Sequence, residues 1–170
     1  MKRLAFSVLT TLSLISVSVA QAADIQGTFL LVPQKSDNVA QKIESTVEKM
    51  NFFVRSFAKN KITKAARANQ KVSIALSGNG VSIRADDNTL PTTPADGTTL
   101  MYRNREGDVL GLRMRILGSK FEQTFITDKG SRTNLCELSP DGNVMEMRVV
   151  IRSDYFDEPM TYKLVYHKCS

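Results

Sequence analysis

The chain has 170 residues, 42% of them hydrophobic, and 23 basic side chains against 17 acidic ones for a formal net charge of +6. That length sets the expectation of one domain. The charge excess falls short of an obligate nucleic-acid binder, and one histidine with two cysteines offers no metal-ligand spacing.

Lys2 and Arg3 precede an apolar, Ser/Thr-rich run from Leu4 to Ala20, and Ala20-Gln21-Ala22 has the small-residue pattern of a cleavage site. Residues 1–23 read as a secretory signal peptide, cut after Ala22 or Ala23, because the run is short for a membrane span. Export to the periplasm is expected. Losing Lys2 and Arg3 takes the 23 basic residues to 21 against 17 acidic, a charge of +4. The remaining 24–170 are expected to form a single β-barrel domain.

Residues 24–32 read as a first strand, ended by Pro33. Ser36 and Asp37 are good N-cap residues. From there the period changes, with Val39, Ile43, Val47, Met50, Val54 and Phe57 recurring at helical spacing. One amphipathic helix is expected over 37–58 and a shorter one over 61–68, so the helical segment spans about 37–68. Residues 71–77 and 81–86 make a hairpin around Gly78-Asn79, pairing Leu76 with Val81 and Ile74 with Ile83. Residues 87–97 hold two prolines and read as a loop, with room for a short edge strand. Residues 98–105 form the next strand.

The most regular stretch is 109–168. It reads as five antiparallel strands, 109–117, 120–127, 131–138, 143–153 and 160–168, with turns at Gly118-Ser119, at Lys129-Gly130, over 139–142 and over 154–159. Alternation places Leu110, Leu112, Met114 and Ile116 on one face of the first. Two-residue turns set Met114 opposite Gln123 and Leu112 opposite Phe125. They carry that face to Arg132, Asn134, Cys136 and Leu138. Pairing Cys136 with Met145, and Ile151 with Tyr162, keeps the apolar faces together across all five strands. A one-residue slip would separate them. A meander this long removes its edges by closing. The expected fold is mainly β: an antiparallel up-and-down meander barrel of about nine or ten strands, with a helix-turn-helix lid between the first and second strands.

This order of elements resembles the intracellular lipid-binding proteins, the fatty-acid-binding proteins of the calycin group, whose barrel is capped by a helix-turn-helix inserted after the first strand. Gly27-Thr28-Phe29-Leu30-Leu31-Val32 is similar to that family's opening strand, 72–83 to its second hairpin and 163–168 to its closing strand. The family closes on Arg-x-Tyr, which grips the ligand carboxylate. Here Tyr166 keeps the tyrosine, but Leu164 stands in the arginine's place. Leu138-Ser139-Pro140-Asp141-Gly142 also resembles a hairpin of exported bacterial proteins. The resemblance implies a lipocalin-like barrel that takes a lipid or fatty-acid-like ligand.

No catalytic residue is expected. His167 alternates to the outside, Cys136 lies inside, and no Ser/His/Asp arrangement has a base. The glycines sit in turns and form no phosphate loop, so no cofactor is expected. The candidate ligand-binding residues are polar and apolar in turn. Arg132 and Asn134 point inward toward Tyr162 and Tyr166, with Gln123 a further inner polar group. A ligand carboxylate or phosphate would satisfy the arginine together with the two tyrosine hydroxyls. Alternatively that strand slips, or its rim is open and Arg132 reaches water. The apolar wall would include Leu112, Met114, Phe125, Met147, Val149 and Leu164, with methionines adapting to ligand shape; the alternative is a filled core.

On the lid, Arg55, Lys59, Lys61, Lys64 and Arg67 lie in a stretch without acidic residues. They would dock on an anionic membrane surface, or simply form a solvated face. Without aromatic stacking platforms there, nucleic acid is not an expected partner. Two cysteines in an exported chain often pair. Cys136 and Cys169 would lie two strands apart, roughly 10 Å, beyond the ~7 Å a disulfide spans, while the chain end can curl across. Both states stay open. The expected function is a monomeric periplasmic binding protein holding a small apolar or amphipathic molecule. The alternative is a non-enzymatic envelope interaction module with a filled barrel, using its basic lid on a partner protein or a membrane.

Overall fold

The structure is a computed structural model describing residues 25–78 and 80–169. The expected signal peptide and Asn79 lie outside the described residues. In chain order the elements are β1 (Gly27–Leu31), α1 (Val39–Glu48), α2 (Phe52–Ala65), β2 (Lys71–Ser77), β3 (Gly80–Ala85), the two-residue β4 (Asn88–Thr89) and β5 (Thr93–Pro94), β6 (Asp96–Arg103), β7 (Val109–Leu117), β8 (Lys120–Thr127), β9 (Gly130–Leu138), β10 (Val144–Ser153) and β11 (Met160–Lys168).

The strands form one antiparallel sheet in the order β4-β3-β2-β1-β11-β10-β9-β8-β7-β6, with β5 on β3. β1 pairs with both β2 and β11, so the first strand joins the last. The two edges then meet at a seam. At one end β5 pairs with β3, while Ala95 accepts the Ile116 N–H of β7 at 3.2 Å. At the other, Arg105 Nη2 donates to the Asp87 carbonyl at 2.9 Å. The sheet is thereby curled into the expected barrel, with both helices between its first two strands.

The meander keeps the expected faces, but three of its turns sit differently. β8 and β9 turn at Asp128-Lys129, because Thr127 pairs with Gly130. Gly130 is a strand residue there, and a Cβ on it would lie 2.2 Å from the Arg152 carbonyl oxygen. The next loop is also shifted. Ser139 pairs with Val144, Pro140 takes the second turn position, and Gly142 N–H donates to Ser139 O at 2.8 Å. Met147 therefore opposes Cys136, where Met145 was expected. Ile151 opposes Met160, and Val149 opposes Tyr162. Each shift is by two residues, which changes partners and preserves the face.

The helical segment breaks earlier than its periodicity suggests. Asn51 caps α2 by accepting the Phe53 N–H at 3.0 Å. Arg55, from the first turn of α2, reaches back to the Glu48 and Met50 carbonyls at 2.8 and 2.9 Å and closes the end of α1. The break re-aims the second helix. Ile43, Val47 and Met50 are buried as expected, but Val54 and Phe57 are exposed and Ala58, Ile62 and Ala66 face the core instead. The α1 N-cap is Asn38, accepting Gln41 N–H. Ser36 and Asp37 take another role: Ser36 Oγ and Asp37 Oδ2 accept the Val165 and Lys163 N–H groups of β11. They extend the β1–β11 seam up to the lid. One apolar cluster runs from Ile43, Val47 and Ile62 of the lid to Phe29, Leu112, Met145 and Leu164 of the barrel.

Candidate functional site

The site lies inside the barrel, in layers set by the register. The layer next to the lid is Leu112, Phe125, Arg132, Ile151 and Met160. The next inward is Met114, Gln123, Asn134, Val149 and Tyr162. Below that come Ile116, Phe121, Cys136, Met147 and Leu164. A polar layer thus sits between the rim and an apolar floor. The two-residue shift of the strand carrying Arg132 leaves that side chain on the inner face.

Arg132 is half-buried and turns toward the lid. Its Nη1 donates to Ala65 O at 2.7 Å and its Nη2 to Arg67 O at 3.1 Å, both at the end of α2. Its Nε donates to Asn134 Oδ1 at 2.9 Å, and Asn134 Nδ2 donates to Gln123 Oε1 at 2.8 Å. The direction of this chain is forced. Arginine only donates, so Asn134 must accept with its oxygen and donate with its nitrogen. Gln123 must then accept with Oε1, which leaves its Nε2 as the terminal donor. That nitrogen is buried and has no hydrogen-bond partner among the described residues, and neither has the buried Tyr162 hydroxyl. Gln123 is 4% exposed and Tyr162 1%. Burial raises the Tyr162 pKa, against a smaller opposing pull from Arg132. The phenol stays neutral and can donate. Tyr166, the tyrosine matched to the family's clamp, is engaged: its hydroxyl donates to Asn69 O at 3.1 Å, in the segment between lid and β2. Burial pushes its pKa well above the usual phenol range.

The expected clamp of Arg132, Tyr162 and Tyr166 is therefore divided. Arg132 holds the end of the lid, and Tyr166 holds the segment between the lid and β2. Gln123 and Tyr162 keep free donors in the interior. The apolar residues Leu112, Met114, Met147, Val149 and Leu164 are buried in that interior, and Phe125 is half-buried against them.

The basic lid residues also divide. Arg55 is occupied as a helix cap, and Lys59 pairs with Glu44 of α1 at 2.5 Å. These two hold the helices together. Lys61 lies over the Phe57 ring, 5.7 Å from its centroid, while Lys64 and Arg67 are exposed. Beside them the periodicity misled. Phe52, Phe53 and Phe57 are exposed at 76%, 90% and 52%, and Phe57 packs edge-on against Tyr155 at 5.7 Å. The run Asn51-Phe52-Phe53 held the signal, as a cap followed by apolar residues that belong to no single helical stripe.

Cys136 and Cys169 are both free, Cys136 buried and Cys169 exposed. Cys136 lies in the layer of Leu164, and Cys169 follows the end of β11, some five residues further along. At about 3.3 Å per residue that is far beyond disulfide reach. No group of His, Cys, Asp or Glu able to hold a metal occurs among the described residues.

This lidded barrel has the fold of the fatty-acid-binding proteins. It is similar to a Schistosoma mansoni fatty acid binding protein solved with arachidonic acid, at a TM-score of 0.54 and 14% identity over 88% of this chain and 99% of that one. The Manduca sexta fatty-acid-binding protein matches at 0.54 and 18% identity over 84% and 98%. A secretory abundant heat soluble protein from Ramazzottius varieornatus matches at 0.57 and 8% identity over 85% and 94%. No protein-family profile matches the sequence, and no curated protein is significantly similar to it. At these identities the likeness establishes the fold.

Proposed function

We propose that this protein is an exported carrier of a small amphipathic molecule, a lipid or fatty acid in character, held tail-inward in the barrel beneath its helical lid. The observation that carries this reading is the pair of buried donors without a partner among the described residues, Gln123 Nε2 and Tyr162 Oη, in a polar layer bounded by apolar side chains. Leaving such groups without acceptors costs about 1–3 kcal/mol each. A carbonyl, carboxylate or hydroxyl oxygen that reaches either of them relieves that cost, while the methionine-rich wall accommodates the tail. Arg132 couples loading to the lid. An acidic head group that reaches its guanidinium competes with the Ala65 and Arg67 carbonyls, so acid binding loosens the end of α2. The lipid-binding proteins of the same fold support the reading as analogy, since a fold hosts many functions.

The test is titration of the purified protein with dansyl-undecanoic acid, followed by displacement with palmitate and with hexadecane. One saturable site is expected. Gln123→Leu and Tyr162→Phe each weaken palmitate about tenfold, about 1.4 kcal/mol, and leave hexadecane unaffected. Absence of saturable binding overturns the proposal.

A second reading, in which the barrel is filled and the lid docks on an anionic membrane, is favoured by one observation. Phe52 and Phe53 are exposed at the start of the helix that carries Lys61 and Lys64. Such a face inserts aromatic rings while its lysines meet phosphates. In that case Phe53→Ser abolishes sedimentation with phosphatidylglycerol vesicles, while the dansyl probe finds no site.

A further inference from the structure

The seam of the barrel opens beside the lid into a cleft of about 450 Å³, lined by Arg67, Asn88, Thr89, Pro91 and 102–106. That volume falls within the range of small-molecule sites, roughly 300–1,000 Å³. Its chemistry differs from that of the interior. Three arginines line it, Arg67 after α2, Arg103 at the end of β6 and Arg105 in the turn beyond it, against one acidic residue, Glu106.

None of the three arginines is neutralised by an ion pair among the described residues. Arg103 donates to the Gly107 carbonyl within its own turn. Arg105 donates across the seam to the Asp87 carbonyl at 2.9 Å. Carbonyls orient a guanidinium and leave its charge intact. Arg67 is fixed differently. Its backbone carbonyl accepts from Arg132, so its position is set while its side chain makes no hydrogen bond among the described residues. Tyr102, Asn88 and Thr89 line the same cleft. They add neutral hydrogen-bonding groups.

We propose that this seam cleft is a binding site for a phosphate ester, held by Arg67, Arg103 and Arg105. Planar guanidinium groups with several donors match phosphate oxygens in paired hydrogen bonds. A concave wall with three cationic side chains against one acidic one carries a net positive field that concentrates such an anion. Inorganic phosphate underfills the space, so the ester's organic portion lies against Pro91 and Tyr102. The ester is either a free metabolite-sized phosphate or the head group of a phospholipid whose tails stay outside the cleft. The site stands apart from the interior Gln123–Tyr162 layer and does not depend on a ligand there.

The test is isothermal titration calorimetry of the purified protein at low salt, with glycerol 3-phosphate and, separately, with monomeric dihexanoyl-phosphatidylglycerol. Saturable one-to-one binding is expected, weakened at least tenfold by Arg67→Gln. That arginine has no side-chain partner, so the variant's melting temperature stays at the wild-type value. Equal binding of both probes identifies a free ester as sufficient; binding of the lipid alone identifies a head-group site. As a check that uses no variant, amide chemical-shift changes with either probe should cluster at Asn88, Thr89 and residues 102–106. Failure of both probes to bind, binding unaffected by Arg67→Gln, or shifts elsewhere overturns the proposal. Glycerol 3-phosphate has no tail to occupy the barrel, so its failure leaves the carrier reading standing, and failure of the dansyl probe leaves this one standing.

Discussion

Replacing Arg132 with methionine keeps the aliphatic stem and removes the guanidinium. Three hydrogen bonds go with it, two to lid carbonyls and one to Asn134. The losses are unequal. Asn134 is 4% exposed, so its oxygen is left buried without a donor, at about 1–3 kcal/mol. The Ala65 and Arg67 carbonyls lie nearer the surface and regain water, losing about 1 kcal/mol together. The total is about 3 kcal/mol. For a domain of this size, each kcal/mol is worth roughly 3 °C, so the melting temperature falls by roughly 9 °C. The effect concentrates at the lid. Hydrogen exchange of the last turn of α2 speeds up at least tenfold, while exchange in β10, flanked by β9 and β11, changes only as far as global stability does. The triple variant Arg132→Met, Asn134→Leu, Gln123→Leu recovers most of the loss, because no buried acceptor is left without a donor. If Arg132→Met melts within 1 °C of wild type with α2 exchange unchanged, the guanidinium does not hold the lid, and the coupling of acid binding to lid opening falls with it.

Other outcomes follow from particular side chains. Tyr162→Phe removes a buried hydroxyl without a partner, so the ligand-free protein melts at or above the wild-type temperature; a fall of several degrees would reveal a missed hydrogen bond. Cys136 is buried, and desolvation pushes its thiol pKa well above the ordinary value. With Ellman's reagent at pH 8 only Cys169 should react in the native protein, and two fast thiols would contradict the burial. In the Ser139–Asn143 turn, the Ser139 hydroxyl and then Asn143 hold the Asp141 carboxyl down to about 2, from 3.8. A lowered folded pKa adds stability that is present above the unfolded value and is lost as pH falls from about 4 toward 2. A carboxyl titration followed by NMR should place the midpoint near 2, and a midpoint near 3.8 would remove this contribution.

The barrel was legible because period-two patterning fixes the face of each strand however the loops fall. Three turns shifted by two residues, as with Met147 taking the place of Met145 opposite Cys136, and no side chain changed sides. Inward placement of Gln123, Arg132 and Asn134 followed from the same rule. Their partners did not. Arg132 meets backbone carbonyls at Ala65 and Arg67, and strand periodicity carries no information about where a lid helix ends. The lid itself was misread because Val54 and Phe57 continue the apolar spacing of α1 through Asn51. Only the cap geometry at Asn51 and the reach of Arg55 reveal the break. The seam cleft was invisible for a related reason. Arg67, Arg103 and Arg105 are brought together by barrel closure, a contact far apart in sequence.

The central claim, that the barrel holds an amphipathic molecule, is tested most directly by native mass spectrometry of the purified protein, followed by denaturation and organic extraction. A stoichiometric adduct of one acyl-chain-bearing molecule per protein is expected, lost on denaturation and diminished in Gln123→Leu. A bare protein that also fails to bind dansyl-undecanoic acid would contradict it and leave the exposed phenylalanines of the lid as the surface to pursue.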